Sequence, residues 1–217
     1  MRRFVSGWKT LGHESRLGAR IVNYADDFVI CCRGAADEAM ATMRGMMFRL
    51  RLTVNEAKTR LRRIPEETVD FLGYTIGRCY SPRTGQAYIG TRPSAKAIQR
   101  LCREISELTG RQWAWLDEGE QVARLNRKLE GWANYFRLGQ VTKAYQAVDR
   151  HACHRLRQWL RSKYQSRTMG YSRCPNESLH ERLGLVRLKG RTRDFPWAKA
   201  LSSCPRAGCL KRACPVR

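Results

Sequence analysis

The apolar residues of this chain change their period at Pro93, and that change restricts the fold more than any single motif does. Upstream they come in short β-branched or aromatic runs, such as Ile21-Val22 and Phe28-Val29-Ile30. Runs of this kind suit strands and are too brief for helices. Downstream they recur every three or four residues, the spacing of one helical face. The pattern predicts an α+β chain in which strands dominate the first part and helices the second. At 217 residues there is length for one full domain or two small ones.

In the first part, "IVNYADDFVICC" (residues 21–32) reads as strand, tight turn, strand, with Asp26 and Asp27 at the turn. The stretch "GAADEAMATMRGMMFRL" predicts a helix with Asp37 as its N-cap and Met40, Met43, Met47 and Leu50 along its buried stripe. "RLTVNEAKTRLRRI" predicts a return to extended structure, with Leu61 and Ile64 flanked by arginines. A second hairpin follows, turning at Ser81-Pro82-Arg83-Thr84-Gly85, where Pro suits the second turn position and Gly the last.

Beyond Pro93, Ser94 caps a helix that buries Ile98, Leu101, Ile105 and Leu108 and stops at Gly110. A linker with Trp113 and Trp115 leads to Asp117, which resembles a capping box with Glu120. The second helix then carries Val122, Leu125, Leu129, Trp132 and Phe136 on one stripe. A third opens near Thr142 with Tyr145, Val148, Ala152, Leu156 and Trp159. Three such helices with short links make a small bundle. From about Gln165 the chain is polar, Arg-rich and weakly periodic, which predicts loops with little core. The expected organisation is thus residues 1–92, residues 93–165 and a basic tail over residues 166–217.

Charge selects the partner. Lys and Arg number 42 against 19 Asp and Glu, a formal net charge of +23 and a pI near 10.4. The excess runs through all three segments and is mostly arginine, which matches planar, bidentate phosphate contacts. A polyanion, with nucleic acid first, is the expected partner. Nine cysteines at irregular spacings, an N-terminus without an apolar signal region and no run of membrane-span length predict reduced thiols in a cytoplasmic protein.

Against that background two adjacent carboxylates stand out. Asp26 and Asp27 are either ordinary turn formers or metal ligands. Mg²⁺ takes carboxylate oxygens together with substrate phosphates, and a pair of such ions can clamp the oxygens of a nucleotidyl transfer. The dipeptide alone leaves both readings open.

"YADD" (Tyr24 to Asp27), inside "RIVNYADDFVICC", resembles the metal-binding hairpin of reverse transcriptases. "LTVNEAKTRL" and "FLGYTIGR" follow in the order and spacing of the next two blocks of the same palm. "LNRKLEGWANYFRLG" and "AYQAVDRHACHRLRQWLRSKY" resemble the maturase-specific thumb of group II intron-encoded proteins. Together these blocks resemble the C-terminal half of a group II intron reverse transcriptase/maturase, over roughly residues 18–195. The resemblance implies a truncated palm over residues 1–92, a helical thumb over 93–165 and a family activity of Mg²⁺-dependent, RNA-directed DNA polymerisation. It also implies binding of intron RNA with splicing assistance, DNA primer or target, and deoxynucleoside triphosphates. By position, Asp26 and Asp27 would hold metal, Asp26 foremost, and Tyr24 would lie beside the nucleotide. Lys58 would stand near the triphosphate, although an exposed lysine after a turn is the alternative. Phe71, Leu72, Gly73 and Tyr74 would support the primer end, although Phe71 and Leu72 are equally suited to a strand core.

The family site needs a further aspartate upstream, and the 25 residues before Asp26 contain none. The expectation is therefore a chain without polymerase activity of its own, unless a separate chain supplies fingers and the rest of the palm. The alternative is a non-catalytic RNA-binding, maturase-like module.

RNA contacts are expected on the third helix, where Arg150, His154, Arg157 and Arg161 recur opposite the apolar stripe. Arg124 and Lys128 are the analogous pair on the second. A merely solvated face is the alternative for both. Trp132 and Phe136 are expected in the core, and Tyr135 is left undecided. Cys204, Cys209 and Cys214 lack a CxxC pair or an evident fourth ligand, so neither structural zinc nor an attached endonuclease is expected.

Overall fold

The computed structural model describes residues 1–81, 83–165 and 174–191. Its compact units are Met1–Phe71 and a second that begins at Leu72. Compactness thus divides the chain at Phe71/Leu72, whereas composition and period change at Pro93.

The first unit opens with a helix, α1 (Arg2–Thr10), followed by the single turn α2 (His13–Arg16). Phe4 and Trp8, four residues apart, are both fully buried. The Trp8 indole N–H donates to the Ala19 carbonyl at 3.0 Å, so the ring's polar edge is satisfied inside the core. Strands β1 (Ala19–Tyr24) and β2 (Asp27–Cys32) pair antiparallel with Ile21 opposite Ile30 and Tyr24 opposite Asp27. Their apolar side packs with α1 and with α3 (Ala36–Arg49), whose Ala39, Met43, Met46 and Met47 complete the core. Sequence patterning located β1, β2 and α3 but misplaced the α3 cap. Ala35 is the N-cap and makes no side-chain bond, while Asp37 sits within the first turn, where its charge favours the helix dipole.

The extended structure expected over residues 51–64 is absent. Residues 52–55 and 59–63 have no assigned structure, and residues 56–58 form a turn. Local bonds replace a ladder here. The Lys58 N–H bonds both the carbonyl and the side-chain oxygen of Asn55, and Glu67 folds back onto Arg62 and the Arg63 N–H. Side chains that satisfy their own backbone in this way compete with strand pairing. Leu61 and Ile64 are left exposed. A short strand, β3 (Val69–Phe71), ends the unit.

The second unit combines a hairpin with a helical bundle. Strands β4 (Tyr74–Tyr80) and β5 (Ala87–Pro93) pair antiparallel, with Gly77 opposite Gly90 and Arg78 opposite Ile89. The turn between them closes as expected: the Ser81 N–H donates to Gln86, the Gly85 N–H to Ser81, and Gly85 takes a positive φ. Pro82, assigned to this turn from sequence, lies outside the described residues. Helix α4 (Ala95–Leu108) starts where Ser94 accepts from the Ala97 N–H at 3.1 Å, and α5 (Glu118–Tyr135) where Asp117 accepts from Gly119 at 2.8 Å. Helix α6 (Thr142–Lys163) is the spine of the bundle, and its Tyr145, Val148, Leu156 and Trp159 are wholly buried.

Residues 174–191 correct the expectation of loops with little core. They form α7 (Asn176–Glu181) and α8 (Leu188–Arg191), and they insert Leu179, Leu185 and Leu188 among the side chains of the bundle. Each fully buried leucine is worth about 1.5–3 kcal/mol relative to exposure. Backbone bonds secure the segment. The Asn126 amide bridges the Gly184 carbonyl and the Val186 N–H, and the Asp149 carboxyl accepts from Leu188 and Lys189. Their scarcity of apolar residues hid this docking, since three leucines spread over two short helices and the link between them set no period. Among the described residues no helix is long and apolar enough to cross a membrane.

Candidate nucleic-acid interface

In the first unit the site is the tip of the β1–β2 hairpin. Because Tyr24 pairs with Asp27, only Ala25 and Asp26 remain to make the turn. Two-residue hairpin turns demand a positive φ at their first position and favour Gly there. Ala25 has φ 52°. An L-residue with a Cβ is strained in that region by about 1–2 kcal/mol. Tyr24, Asp26 and Asp27 are all exposed. The tip therefore presents two carboxylates on a backbone fixed in an unfavourable conformation, an arrangement associated with functional loops.

Beside this turn is an open recess of about 380 Å³, lined by Asn23 and Ala25 and by Arg2, Val5, Ser6 and Lys9 of α1. Two cations thus border the depression next to the carboxylates, and sequence patterning did not place them there. Arg2 and Lys9 reach it because α1 carries them, with Phe4 and Trp8 turned into the core.

Asp26 and Asp27 offer two carboxylates, the number Mg²⁺ takes when phosphates and water complete its shell. Among the described residues no group of three or more His, Cys, Asp or Glu could hold a metal ion. A two-ion clamp is therefore not assembled from the described residues. Lys58 is exposed in its turn. Phe71, the last residue of β3, is partly buried.

In the second unit the residues match a different purpose. Leu72 and Gly73 both have positive φ, and Gly73 is required on steric grounds, since a Cβ there would come within 2.9 Å of the Phe136 ring. Tyr74 packs on Phe136 with ring centroids 5.1 Å apart. The undecided Tyr135 is half exposed, but its hydroxyl donates to the Leu72 carbonyl at 2.9 Å. Phe136 is buried and Trp132 partly so, packed against the bundle core.

The cations expected to touch RNA divide into two groups. Arg150, His154 and Arg161 are exposed along α6. Arg157 is turned to structural use: its guanidinium donates to the Cys174 carbonyl at 2.7 Å and to the Asn176 side chain, fastening α7 to α6. On α5, Arg124 lies 4.5 Å above the Trp113 ring, and Lys128 pairs with Glu104 at 2.9 Å. That ammonium holds the Glu104 carboxyl below its ordinary pKa. Arg124 and Lys128 are thus partly engaged within the protein.

His180 is engaged within the bundle. The His180 Nδ1 lies 2.6 Å from the Leu185 carbonyl, and its Nε2 lies 3.6 Å from the Cys153 sulfur. Cys204, Cys209 and Cys214 lie outside the described residues.

Residues 98–174 match the family model of the group II intron, maturase-specific domain. The matched span covers most of α4, all of α5 and α6, and the residues that lead to α7. Over it the chain is similar to that domain, and the similarity supports the group II intron maturase/reverse transcriptase family. The hairpin with Asp26 and Asp27 is outside the matched span. A comparison with curated proteins returned no match.

Proposed function

We propose that this chain is an RNA-binding maturase module that holds group II intron RNA on its helical part and so assists splicing. The observation that carries the reading is the match of residues 98–174 to the maturase-specific domain, on a bundle whose longest helix presents Arg150, His154 and Arg161 outward. A rigid basic ridge of this kind takes up backbone phosphates while leaving the RNA fold to choose the site. The test is binding of a group II intron transcript by the full chain across a salt series. The combined Arg150→Glu, Arg161→Glu variant should weaken binding and flatten its salt dependence. Unchanged affinity and slope would remove α6 from the interface.

A second reading rests on the hairpin tip. Paired carboxylates on a strained turn, beside a recess bordered by Arg2 and Lys9, suit a metal-assisted nucleotidyl-transfer site. Asp26 and Asp27 would hold Mg²⁺, which would polarise substrate phosphates, and Arg2 and Lys9 would attract the triphosphate. The described residues supply too few ligands for two ions, so this reading requires a further carboxylate from elsewhere, including a complementing chain. Primer extension on an RNA template by the purified chain, dependent on Mg²⁺ and abolished by Asp26→Ala, would establish polymerase activity. Its absence leaves the chain as the RNA-binding module.

A further inference from the structure

Residues 71–103, between Asp70 and Glu104, include no Asp or Glu, yet six of them are Arg or Lys: Arg78, Arg83, Arg92, Lys96, Arg100 and Arg103. The whole chain has 19 acidic residues, so this is a marked local gap. The stretch folds into β4, β5 and most of α4.

The register of the hairpin sorts its side chains. Arg78 pairs with Ile89 and Tyr80 with Ala87, so these four share one face. Near the bundle the same face is covered: the Tyr74 ring meets Phe136, and the Thr91 carbonyl accepts the Gln140 N–H at 2.8 Å. Toward the turn it is bare. Tyr80 is 58 % exposed and Ile89 60 % exposed, and Arg78 is exposed between them. On the opposite face Cys79 is buried, and Tyr88, 43 % exposed, lies over Gly90, where an added Cβ would come within 2.7 Å of its ring. The Tyr80 backbone is also fixed, since the Gln140 amide donates to its carbonyl at 2.6 Å. Among the described residues no carboxylate forms an ion pair with Arg78 or Arg83. A tyrosine and an isoleucine exposed on one face beside Arg78 and Arg83 suit a partner that combines a flat apolar surface with negative charge.

We infer that the distal face of the β4–β5 ribbon binds single-stranded RNA. Tyr80 stacks on an unpaired base, Ile89 packs beside it, and Arg78 and Arg83 take the flanking phosphates. A paired helix buries its base faces in its own stack and offers none to Tyr80, so the site selects unpaired nucleotides. The inference rests on the RNA-binding reading and adds to it a second contact, built from different residues than the α6 ridge.

The full chain should be titrated with a labelled twelve-nucleotide oligouridylate and, separately, with a blunt twelve-base-pair RNA duplex. Tyr80→Ala should weaken oligouridylate binding about ten-fold while leaving duplex binding unchanged, and Tyr80→Phe should retain the wild-type value. Arg78→Gln should reduce the slope of log affinity against log salt by about 0.7, the share of one single-strand phosphate. Photo-crosslinking of the wild-type chain to an oligouridylate bearing 5-iodouridine should label the peptide containing Tyr80, a readout independent of any variant. Wild-type affinity in Tyr80→Ala, the outcome if this face receives a protein instead, would overturn the inference. Crosslinks confined to other peptides would do the same. If either happens while the α6 variant still loses binding, only the ribbon site fails; a wild-type chain that binds no RNA ends both readings.

Discussion

Tyr74 and Tyr135 exchange hydroxyl bonds across their segments. The Tyr74 hydroxyl donates to the Tyr135 carbonyl at 2.6 Å, and the Tyr135 hydroxyl donates to the Leu72 carbonyl at 2.9 Å. The two rings lie 6.0 Å apart. The clasp fastens the start of β4 to the end of α5, two places separated by more than sixty residues of chain. Burial also pushes the Tyr74 phenol above its usual pKa.

Removing either hydroxyl tests the clasp. Tyr74→Phe and Tyr135→Phe should each destabilise the chain by about 0.5–1.5 kcal/mol in urea unfolding. The double variant should fall short of the sum, because each bond positions the ring that makes the other. Strict additivity would show two independent contacts.

Gly139 is a harsher test of the same junction. It has φ 75°, and a Cβ there would overlap the Thr91 carbonyl. That carbonyl is backbone and already accepts from Gln140, so it cannot move aside without losing a bond. Gly139→Ala should destabilise by more than about 2 kcal/mol, combining left-handed strain with the clash. A loss under 0.5 kcal/mol in denaturant titration would contradict the close approach.

His151 makes stability depend on pH. Its Nε2 lies 2.9 Å from the Cys102 carbonyl and 3.0 Å from the Ser106 hydroxyl, and burial lowers its pKa below 6.5, with the charges of Arg155 and His154 adding to the effect. The neutral ring is the form the fold accepts. Its contribution is complete above the unfolded value of 6.5 and is lost as pH falls through the lower folded value. Thermal melts of the wild type should drop across that interval below pH 6.5 more steeply than those of His151→Gln. Parallel curves would remove His151 as the source.

Asn126 holds residues 184–186 through two bonds, one at 2.8 Å to the Gly184 carbonyl and one at 2.9 Å from the Val186 N–H. Asn126→Ala leaves both backbone groups unpaired and should destabilise by about 1–3 kcal/mol. Hydrogen exchange should quicken first around Leu185 and Leu188. Protection unchanged at those amides would show that leucine burial alone keeps the segment in place.

The strained hairpin tip gives the opposite sign. Ala25→Gly should stabilise the first unit by relieving the left-handed penalty, an effect of about 1 kcal/mol. A loss of stability would mean that the Ala25 methyl makes contacts of its own.

How much of this was readable without coordinates differs by element. Helices α4, α5 and α6 follow from three- and four-residue spacing, and their caps at Ser94 and Asp117 from residue type, because both signals are local. Both hairpins were legible for the same reason. Helix α1 was not, since Phe4 and Trp8 are only two apolar anchors among arginines. The docking of Leu179 and Leu188 depends on Asn126 and Asp149, far away in sequence. Arg157 illustrates the limit for site residues. Its spacing places it on the basic ridge, but the carbonyl of Cys174 and the side chain of Asn176 claim its guanidinium. Helical phase says which way a side chain leaves the axis, not what waits there.

The junction at Gly73, Thr91 and Gly139 decides where the chain can be dissected. The Ser94 N–H bonds the Gly73 carbonyl, Gln140 bonds Thr91, and the Phe136 ring occupies the space above Gly73. A clone that starts at residue 93, where the helical sequence begins, would strip Phe136 of its cover and orphan the Gln140 N–H. Expression of the helical part by itself therefore has to begin at or before Leu72, and the ribbon travels with the bundle as its inseparable arm.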